Sequence, residues 1–480
     1  MAKKTRVLIV GAGEAGRMSL EEMLAHPEYG YEPVGFVDDD PSKQSDVIRG
    51  YRVLGAGERI RELVEENQVD EILIAMPSES GRTIRSVVRV CEQAKVDFKI
   101  VPGLREIIAG DVKIEQIRTI QPEDLLGRET VRIDDGHVRG YLQGKRVMVT
   151  GAGGSIGAEL CRQAASYEPE SIALVGRGEN SIFEIELDLR TSGTEVPISP
   201  VIADIRDRER TAELFDSIKP HIVFHAAAHK HVYLMEIFPD EAVLNNVLAT
   251  MNVVEEAIDK GVDRAVMLST DKAVCPRGVM GASKRVAELY MRSRAAGSLG
   301  TKLISVRFGN VLGTRGSVVP IFKKQIERGG PVTVSDAQAT RFFMTVKEAT
   351  MLVIQAGVLG SGGETFILDM GEAVRILELA RQLITLSGFL PEEEIPIRFT
   401  GLKSGEKLGE KLDAPGEKLV GTQFEKLLVA QPKSPPDPAM IGSIGELIAL
   451  ARLRDRKGVV GKLKELVPEY EPPEGSRWAG

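Results

Sequence analysis

Twice in this chain a short apolar run ends in a glycine-rich turn that opens a helical stretch. Residues 6–10, RVLIV, lead into Gly11-Ala-Gly13-Glu-Ala-Gly16, and residues 146–150, RVMVT, lead into Gly151-Ala-Gly-Gly154-Ser155-Ile156-Gly157. Runs that are apolar throughout suit strands buried on both faces of a parallel sheet. The glycines allow a tight turn and a close approach of backbone to a pyrophosphate at the helix N-terminus that follows. The expected fold is therefore α/β, with two Rossmann-type doubly wound parallel-sheet units in tandem.

In the first unit, residues 1–103, a second strand VGFVD ends in Asp38, where an acid would accept hydrogen bonds from an adenosine ribose. Further strands fall at DEILIAM (70–76) and DFKIVPG (97–103). Gly11, Gly13, Gly16 and Asp38 are thus a candidate nucleotide site. A unit that has given up its ligand and serves assembly would have the same pattern. From 104 to 143 the strand–helix alternation lapses into a polar, charge-rich connector. The second unit, 144–425, resumes it with strands at SIALVGR, SPVIADIRD, HIVFHAAA and RAVMLST. Its C-terminal third forms a smaller substrate-binding lobe, and 426–480 is a helical tail with a Pro-rich end.

At 480 residues the chain is too long for one ordinary core. A hydrophobic fraction of 42% with 28% charged residues is that of a soluble globular protein. The net charge of −8, with no Lys/Arg-rich run, argues against nucleic acid as a partner. No apolar run approaches the ~18 residues of a membrane helix, and the start, MAKKTRVLIVGAG, lacks a signal-peptide layout. The expectation is a cytoplasmic protein without a transmembrane segment. Cys91, Cys161 and Cys275 are widely spaced and are expected to be reduced thiols.

Chemistry concentrates in residues 269–284. Ser269 and Thr270 close a strand, an Asp271–Lys272 pair follows, and Met280 stands four residues before Lys284 on a helix. In a short-chain dehydrogenase/reductase, Tyr would stand where Met280 does, on the same helix face as the Lys. Here the Tyr is gone and an acid and an amine lie just upstream. An enzyme that only moves hydride has little use for that pair. One that also eliminates water needs a base for a carbon-bound proton and an acid for the departing hydroxyl.

Residues 141 to about 412 resemble the nucleotide-sugar 4,6-dehydratases of bacterial polysaccharide biosynthesis, an extended short-chain dehydrogenase/reductase family. The matching stretches include HAAAHKHVYLME, NNVLATMNV, STDKAV, VMGASKR, VRFGNVLGTRGSVVPIFKKQI, TRFFMT and FTGLKSGEKL. The first unit is similar to the domain that precedes the catalytic one in longer members, which usually carry transmembrane helices ahead of it. The branch with Met in place of Tyr implies UDP-N-acetylglucosamine as substrate and a UDP-linked 4-keto-6-deoxy sugar as product. By this resemblance Lys272 is the base and Asp271 the acid. Lys284 binds the nicotinamide ribose, and Thr270 or a water takes the 4-hydroxyl proton that Met280 cannot.

The resemblance also implies a tightly held NADP or NAD on Gly151, Gly154, Ser155, Ile156, Gly157, Asp204, Ile205, Ala226, Ala228, Ser269 and Lys284. Gly176-Arg177, where an acid would select NAD, favours NADP because a guanidinium suits a 2′-phosphate. The UDP-sugar falls to Lys230, Asn310, Arg315, Gly316, Ser317, Val318, Val319, Pro320, Arg341 for the diphosphate, and Glu406 for the uridine ribose. The chain departs from the family at Lys403-Ser404, where Arg-Pro is common. His225, His229 and His231 fit a cofactor loop better than a metal site, since no Cys or carboxylate shares their spacing. A homo-oligomer is expected. A UDP-sugar 4-epimerase is the alternative within the enzyme class, and a non-catalytic nucleotide-sensing or assembly protein the alternative outside it.

Overall fold

The structure, a computed structural model, describes residues 4–76, 79, 81–94, 96–101, 135–298, 300–387, 389–432 and 439–473. They cluster into two compact units, Met1–Thr130 with Leu383–Leu390 and Val131–Gln382 with Pro391–Gly480.

The first unit is built on a parallel four-stranded sheet in the order Tyr31–Val37, Thr5–Val10, Glu71–Ile74, Asp97–Ile100. Alternate residues of the central strand feed two separate cores, as the period of two in a strand requires. Val7 and Ile9 pack with Leu20 and Phe36, while Leu8 and Val10 pack with Ile60 and Leu63.

The second unit carries a nine-stranded sheet. Its parallel part runs Thr365–Leu368, Lys302–Arg307, Arg264–Leu268, Ile222–His225, Arg146–Thr150, Ser171–Gly176, Ile198–Ile202. Strand order therefore reverses between Arg146–Thr150 and Ile222–His225, which pair in register up to Thr150 and His225. A crevice opens beyond the strand C-termini at such a switch point, where Gly151 and Ala226 follow. Two antiparallel strands, Leu427–Pro432 and Glu417–Gly421, extend the edge beside Thr365–Leu368.

Three boundaries move. The expected connector to 143 ends earlier, because Asp135–Leu142 is a helix whose Val138 and Leu142 are buried in the second unit's core. The limit at 425 would cut off Leu427–Pro432, a strand of the sheet. The tail is not separate either. Its helices Met440–Arg452 and Arg456–Leu466 bury Ile444, Leu447, Val459 and Leu463 in the same core as Val279, Met280 and Met291. Most of the connector and the Pro-rich end lie outside the described residues. No helix of the described residues is long and apolar enough to cross a membrane. Cys91 and Cys161 are buried, Cys275 half-buried, and none of the three is in a disulfide.

Candidate active site

The loop after Arg146–Thr150 is shaped by contact. Gly151 has φ +71°, and a Cβ there would lie 2.6 Å from Ala227 N; a Cβ at Gly157 would lie 2.2 Å from Gly151 O. Only glycine fits such an approach. The helix Ser155–Ala165 starts on Gly154, with no side chain capping its first amide groups. Ile156 is half-buried, Ile205 buried and Ala228 exposed. Asp204 is clamped by Arg206, with Nη2 2.7 Å from Oδ2. Burial opposes its charge, but Arg206 and Arg177 outweigh that and hold the carboxyl below its ordinary range. Arg177 lies 3.7 Å from Asp204 Oδ2 and remains 46% exposed. This glycine cradle, helix start and exposed guanidinium fit the diphosphate and adenosine end of a dinucleotide.

Beyond Arg264–Leu268 the chain is pinned to the neighbouring strand: Ser269 N donates to Val306 O, and Asp271 N to Phe308 O at 2.9 Å. Thr270 then caps the single turn Asp271–Ala273. Asp271 Oδ1 accepts from Thr270 Oγ1 at 3.0 Å and from Lys272 Nζ at 2.9 Å. Its Oδ2 has no hydrogen-bond partner among the described residues, and a Cβ at Gly309 would sit 3.1 Å from it. Asp271 is fully buried, whereas the Lys272 side chain is 21% exposed. Lys272 Nζ also donates to Asn310 Oδ1 at 3.0 Å and lies 3.7 Å from Glu410 Oε1. Burial works against an ammonium here, but the Asp271 and Glu410 carboxylates outweigh it, so the Lys272 pKa is raised. At rest the Asp271 and Lys272 side chains form an ion pair.

The helix Val279–Ala295 presses on that pair: a Cβ at Gly281 would lie 2.1 Å from Lys272 O. Met280 is 3% exposed and packs in the core. Lys284 is 4% exposed, and burial pulls its pKa down to about 8. His225 is held between Thr150 Oγ1 (2.7 Å) and Thr250 Oγ1 (3.0 Å), and burial, with Lys284 beside it, lowers its pKa to about 3. Asn246 ties His229 N and O to Ser283 Oγ, which in turn bonds Met280 O.

The expected substrate residues separate into two sets. Asn310 sits directly on Lys272. Arg315 N donates to Ser155 Oγ at 3.0 Å, joining the substrate loop to the cofactor helix, and its guanidinium pairs with Glu184. Lys230 Nζ lies 3.5 Å from Thr314 Oγ1 in the same loop. Gly316 and Ser317 precede the helix Val318–Glu327, whose first turn holds Val318, Val319 and Pro320. Arg341 and Glu406 are instead engaged internally. Arg341 is buried and donates to the carbonyls of Thr340, Lys407 and Leu408, because a buried guanidinium must satisfy its donors. Glu406 turns back on Lys403 N at 3.1 Å.

In the first unit, Asp38 Oδ2 accepts from Ala12 N at 2.8 Å, and Lys43 Nζ lies 3.3 Å from it. The acid expected at a ribose is thus folded onto its own glycine loop.

The sequence reading missed two groups. Glu410, 2% exposed, faces Lys272 and pairs with Lys407 Nζ at 3.0 Å. Arg307 is fully buried, with Nη2 2.8 Å from Glu288 Oε2 and Nη1 2.8 Å from Glu417 Oε2, and Ser269 Oγ donates to Glu288 Oε1 at 2.6 Å. The repeated Gly-Glu-Lys-Leu at 405–408 and 409–412 was the available signal for the first.

Residues 147–432 match the family described as "Polysaccharide biosynthesis protein", and residues 1–102 the family described as "CoA-binding domain". The chain is 46% identical over 412 residues to the capsular polysaccharide biosynthesis protein CapD of Staphylococcus aureus, covering 85% of this chain and 69% of that protein. It is 30% identical over 295 residues to a UDP-N-acetylglucosamine 4,6-dehydratase (inverting) of Campylobacter jejuni, 61% of this chain and 84% of that one. It is also 34% identical over 274 residues to a UDP-glucose 4-epimerase of Rickettsia rickettsii, 56% of this chain and 77% of that protein.

Proposed function

The chain belongs to the polysaccharide biosynthesis protein family, and we propose that it is a nucleotide-sugar 4,6-dehydratase acting on UDP-N-acetylglucosamine. The observation that carries this reading is the Asp271–Lys272 pair, 2.9 Å apart at the end of the strand that faces the dinucleotide crevice. The chemistry a nicotinamide dinucleotide supplies when bound is reversible hydride acceptance. Its seat is the loop Gly151–Gly157, with the exposed Arg177 to meet a 2′-phosphate of NADP and Lys284 near the reacting end.

Once carbon 4 of the sugar is a ketone, the hydrogen on carbon 5 is acidic, and Lys272, the exposed member of the pair, removes it as an amine. Asp271 is the acid for the hydroxyl leaving carbon 6. Because it is fully buried, its proton leaves through Oδ1, whose partners are Thr270 Oγ1 and Lys272 Nζ. The half-buried Thr270 hydroxyl is therefore the neutral relay on that path. Asn310 orients the amine, and the 315–320 loop and Lys230 take the UDP group. Arg341 acts on that site by holding the 407–408 backbone.

The first unit is proposed to hold a nucleotide at Gly11, Gly13 and Gly16, with Lys43 beside Asp38 as a countercharge for an anion. Similarity to the Rickettsia protein supports a second reading, a UDP-sugar 4-epimerase. Incubation with UDP-N-acetylglucosamine separates the two: the dehydratase yields a product lighter by one water in the mass spectrum, and an epimerase yields one of unchanged mass. Unchanged substrate with bound cofactor would sink both.

A further inference from the structure

Counting protons in this site leaves one without a seat, and the structure offers one. At rest the Asp271–Lys272 ion pair holds a single shared proton. Elimination requires Asp271 as a neutral acid and Lys272 as a neutral amine, which is also one proton. The proton released from the 4-hydroxyl when carbon 4 is oxidised is a second, and it must stay close until water has left. A tyrosine could hold it, but Met280 cannot. Asn310 has no acidic form to offer. The nearby cations Arg341 and Lys407 are occupied in donating to the carbonyls of Thr340, Lys407 and Leu408 and of Val274.

We propose that Glu410 is the missing proton-holding residue: its buried carboxylate, 3.7 Å from Lys272 Nζ, stores one proton for the length of each turnover. The inference rests on the dehydratase reading. Glu410 acts through Lys272 and touches no reacting atom, so it is a positioning residue.

Thr270 Oγ1, Asp271 Oδ1, Lys272 Nζ and Glu410 Oε1 form a connected chain, with successive separations of 3.0, 2.9 and 3.7 Å. The 4-hydroxyl proton enters at Thr270, which passes its own proton to Asp271 Oδ1, and the Lys272 ammonium passes one to Glu410. The site then holds two carboxylic acids and a neutral amine, one proton more than at rest. In elimination the amine takes the carbon 5 proton and a carbon 5–carbon 6 double bond forms. The carbon 6–oxygen bond breaks, and Asp271 supplies, through Thr270, the proton with which the hydroxyl leaves as water. When carbon 6 receives hydride, the ammonium returns its proton to carbon 5. Glu410 then returns the stored proton to Lys272, which restores the resting ion pair. The hydride lost at carbon 4 is the one gained at carbon 6, and the 4-hydroxyl proton ends in water.

Two features suit Glu410 to this. It is 2% exposed, and burial favours the neutral form of a carboxyl. Lys407, 3.0 Å from its Oε2 and anchored to Val274 O at 2.7 Å, holds the carboxyl in place opposite Lys272. The 3.7 Å gap closes to a hydrogen bond with a lysine movement of about 0.5–1 Å.

The test uses the full chain with UDP-N-acetylglucosamine. Loss of water by the unaltered protein is measured first; its failure would remove the dehydratase reading itself. Given that activity, Glu410→Gln should lose about 10²–10⁴-fold in turnover, as for loss of a proton-transfer group, while still binding the UDP-sugar. Glu410→Asp, which keeps an acid, should recover part of it. Infrared difference spectra on adding substrate should show two protonated-carboxyl bands, one removed by Asp271→Asn and the other by Glu410→Gln. In protein without substrate, the Lys272 amine should titrate at lower pH in Glu410→Gln, read by nitrogen NMR, because one of its two carboxylates is gone. Turnover within about threefold of the unaltered protein, or a second carboxyl band that survives Glu410→Gln, overturns the proposal.

Discussion

Lys272 Nζ stands 2.9 Å from Asp271 Oδ1, a partly exposed side chain paired with a carboxyl that has no exposure at all. The two therefore share proton traffic but not access to a substrate. Lys272→Met should stop elimination, because the carbon 5 proton then has no acceptor. Asp271→Asn should slow departure of the hydroxyl and leave nucleotide binding largely intact. Each should cost about 10²–10⁴-fold in turnover, measured as water lost from UDP-N-acetylglucosamine. Near-normal rates in both would remove the pair from the mechanism.

Burial of Arg307 between Glu288 and Glu417 sets a pH limit on the fold. Burial would raise the Glu288 pKa, but Arg307, with Arg285 and Ser269, outweighs it and brings the value from 4.5 down to about 2. A carboxyl with a depressed folded pKa contributes stability that is complete above its unfolded value. That stability drains away as pH falls from about 4.5 towards 2. Urea unfolding across that range should show the loss, and Glu288→Gln should flatten it. At neutral pH, Arg307→Met should cost about 3–5 kcal/mol, because it leaves Arg285 as the one guanidinium pairing both buried carboxylates.

Much of this arrangement could be read before any coordinates. Both glycine turns, the doubly wound sheet and the Asp271–Lys272–Met280–Lys284 spacing are local patterns, and a sequence displays local patterns directly. The helix Asp135–Leu142 was hidden because its two glycines give it little helical propensity; burial of Val138 and Leu142 holds it. Glu410 was hidden for another reason. Glu406 and Glu410 have the same neighbours in a repeated tetrapeptide, and only the fold turns one to Lys403 and brings the other to Lys272. The partners of Arg307 lie 19 and 110 positions away, and no spacing rule links them.

Extraction of the purified protein should release a nicotinamide nucleotide, and Arg177 predicts NADP in preference to NAD. Asp204 is already satisfied by Arg206, so the Arg177 guanidinium keeps its capacity for a 2′-phosphate. Arg177→Ala should lower the NADP fraction, read by chromatography of the released nucleotide. Recovery of NAD alone from the unaltered protein would refute the preference and leave the reaction untouched.

All the residues assigned to chemistry belong to the second unit, so the first should be dispensable for turnover. A truncated chain should begin near residue 131 and not at 141, because the latter cuts through Asp135–Leu142 and removes Val138 from the core. The longer version should keep measurable dehydration, and the shorter should unfold at lower temperature. A folded, inactive protein starting at 131 would mean that the first unit shapes the active site.

Met280 offers the sharpest comparison. It is 3% exposed within the core that the C-terminal helices complete, so its thioether serves as packing. Met280→Leu nearly conserves volume and should cost under about 1.5 kcal/mol of stability, with most of the turnover kept. Thr270→Val keeps the shape but removes the hydroxyl that donates to Asp271 at 3.0 Å and receives the 4-hydroxyl proton. It should cost far more, on the order of 10²-fold or greater. Met280→Tyr should restore a phenol four residues before Lys284, whose positive charge lowers the phenol's pKa. That help should fade as pH rises through about 8, where Lys284 loses its charge. Turnover of the three variants across pH decides the matter. A dead Met280→Leu beside a normal Thr270→Val would assign the methionine a chemical part and end the threonine relay.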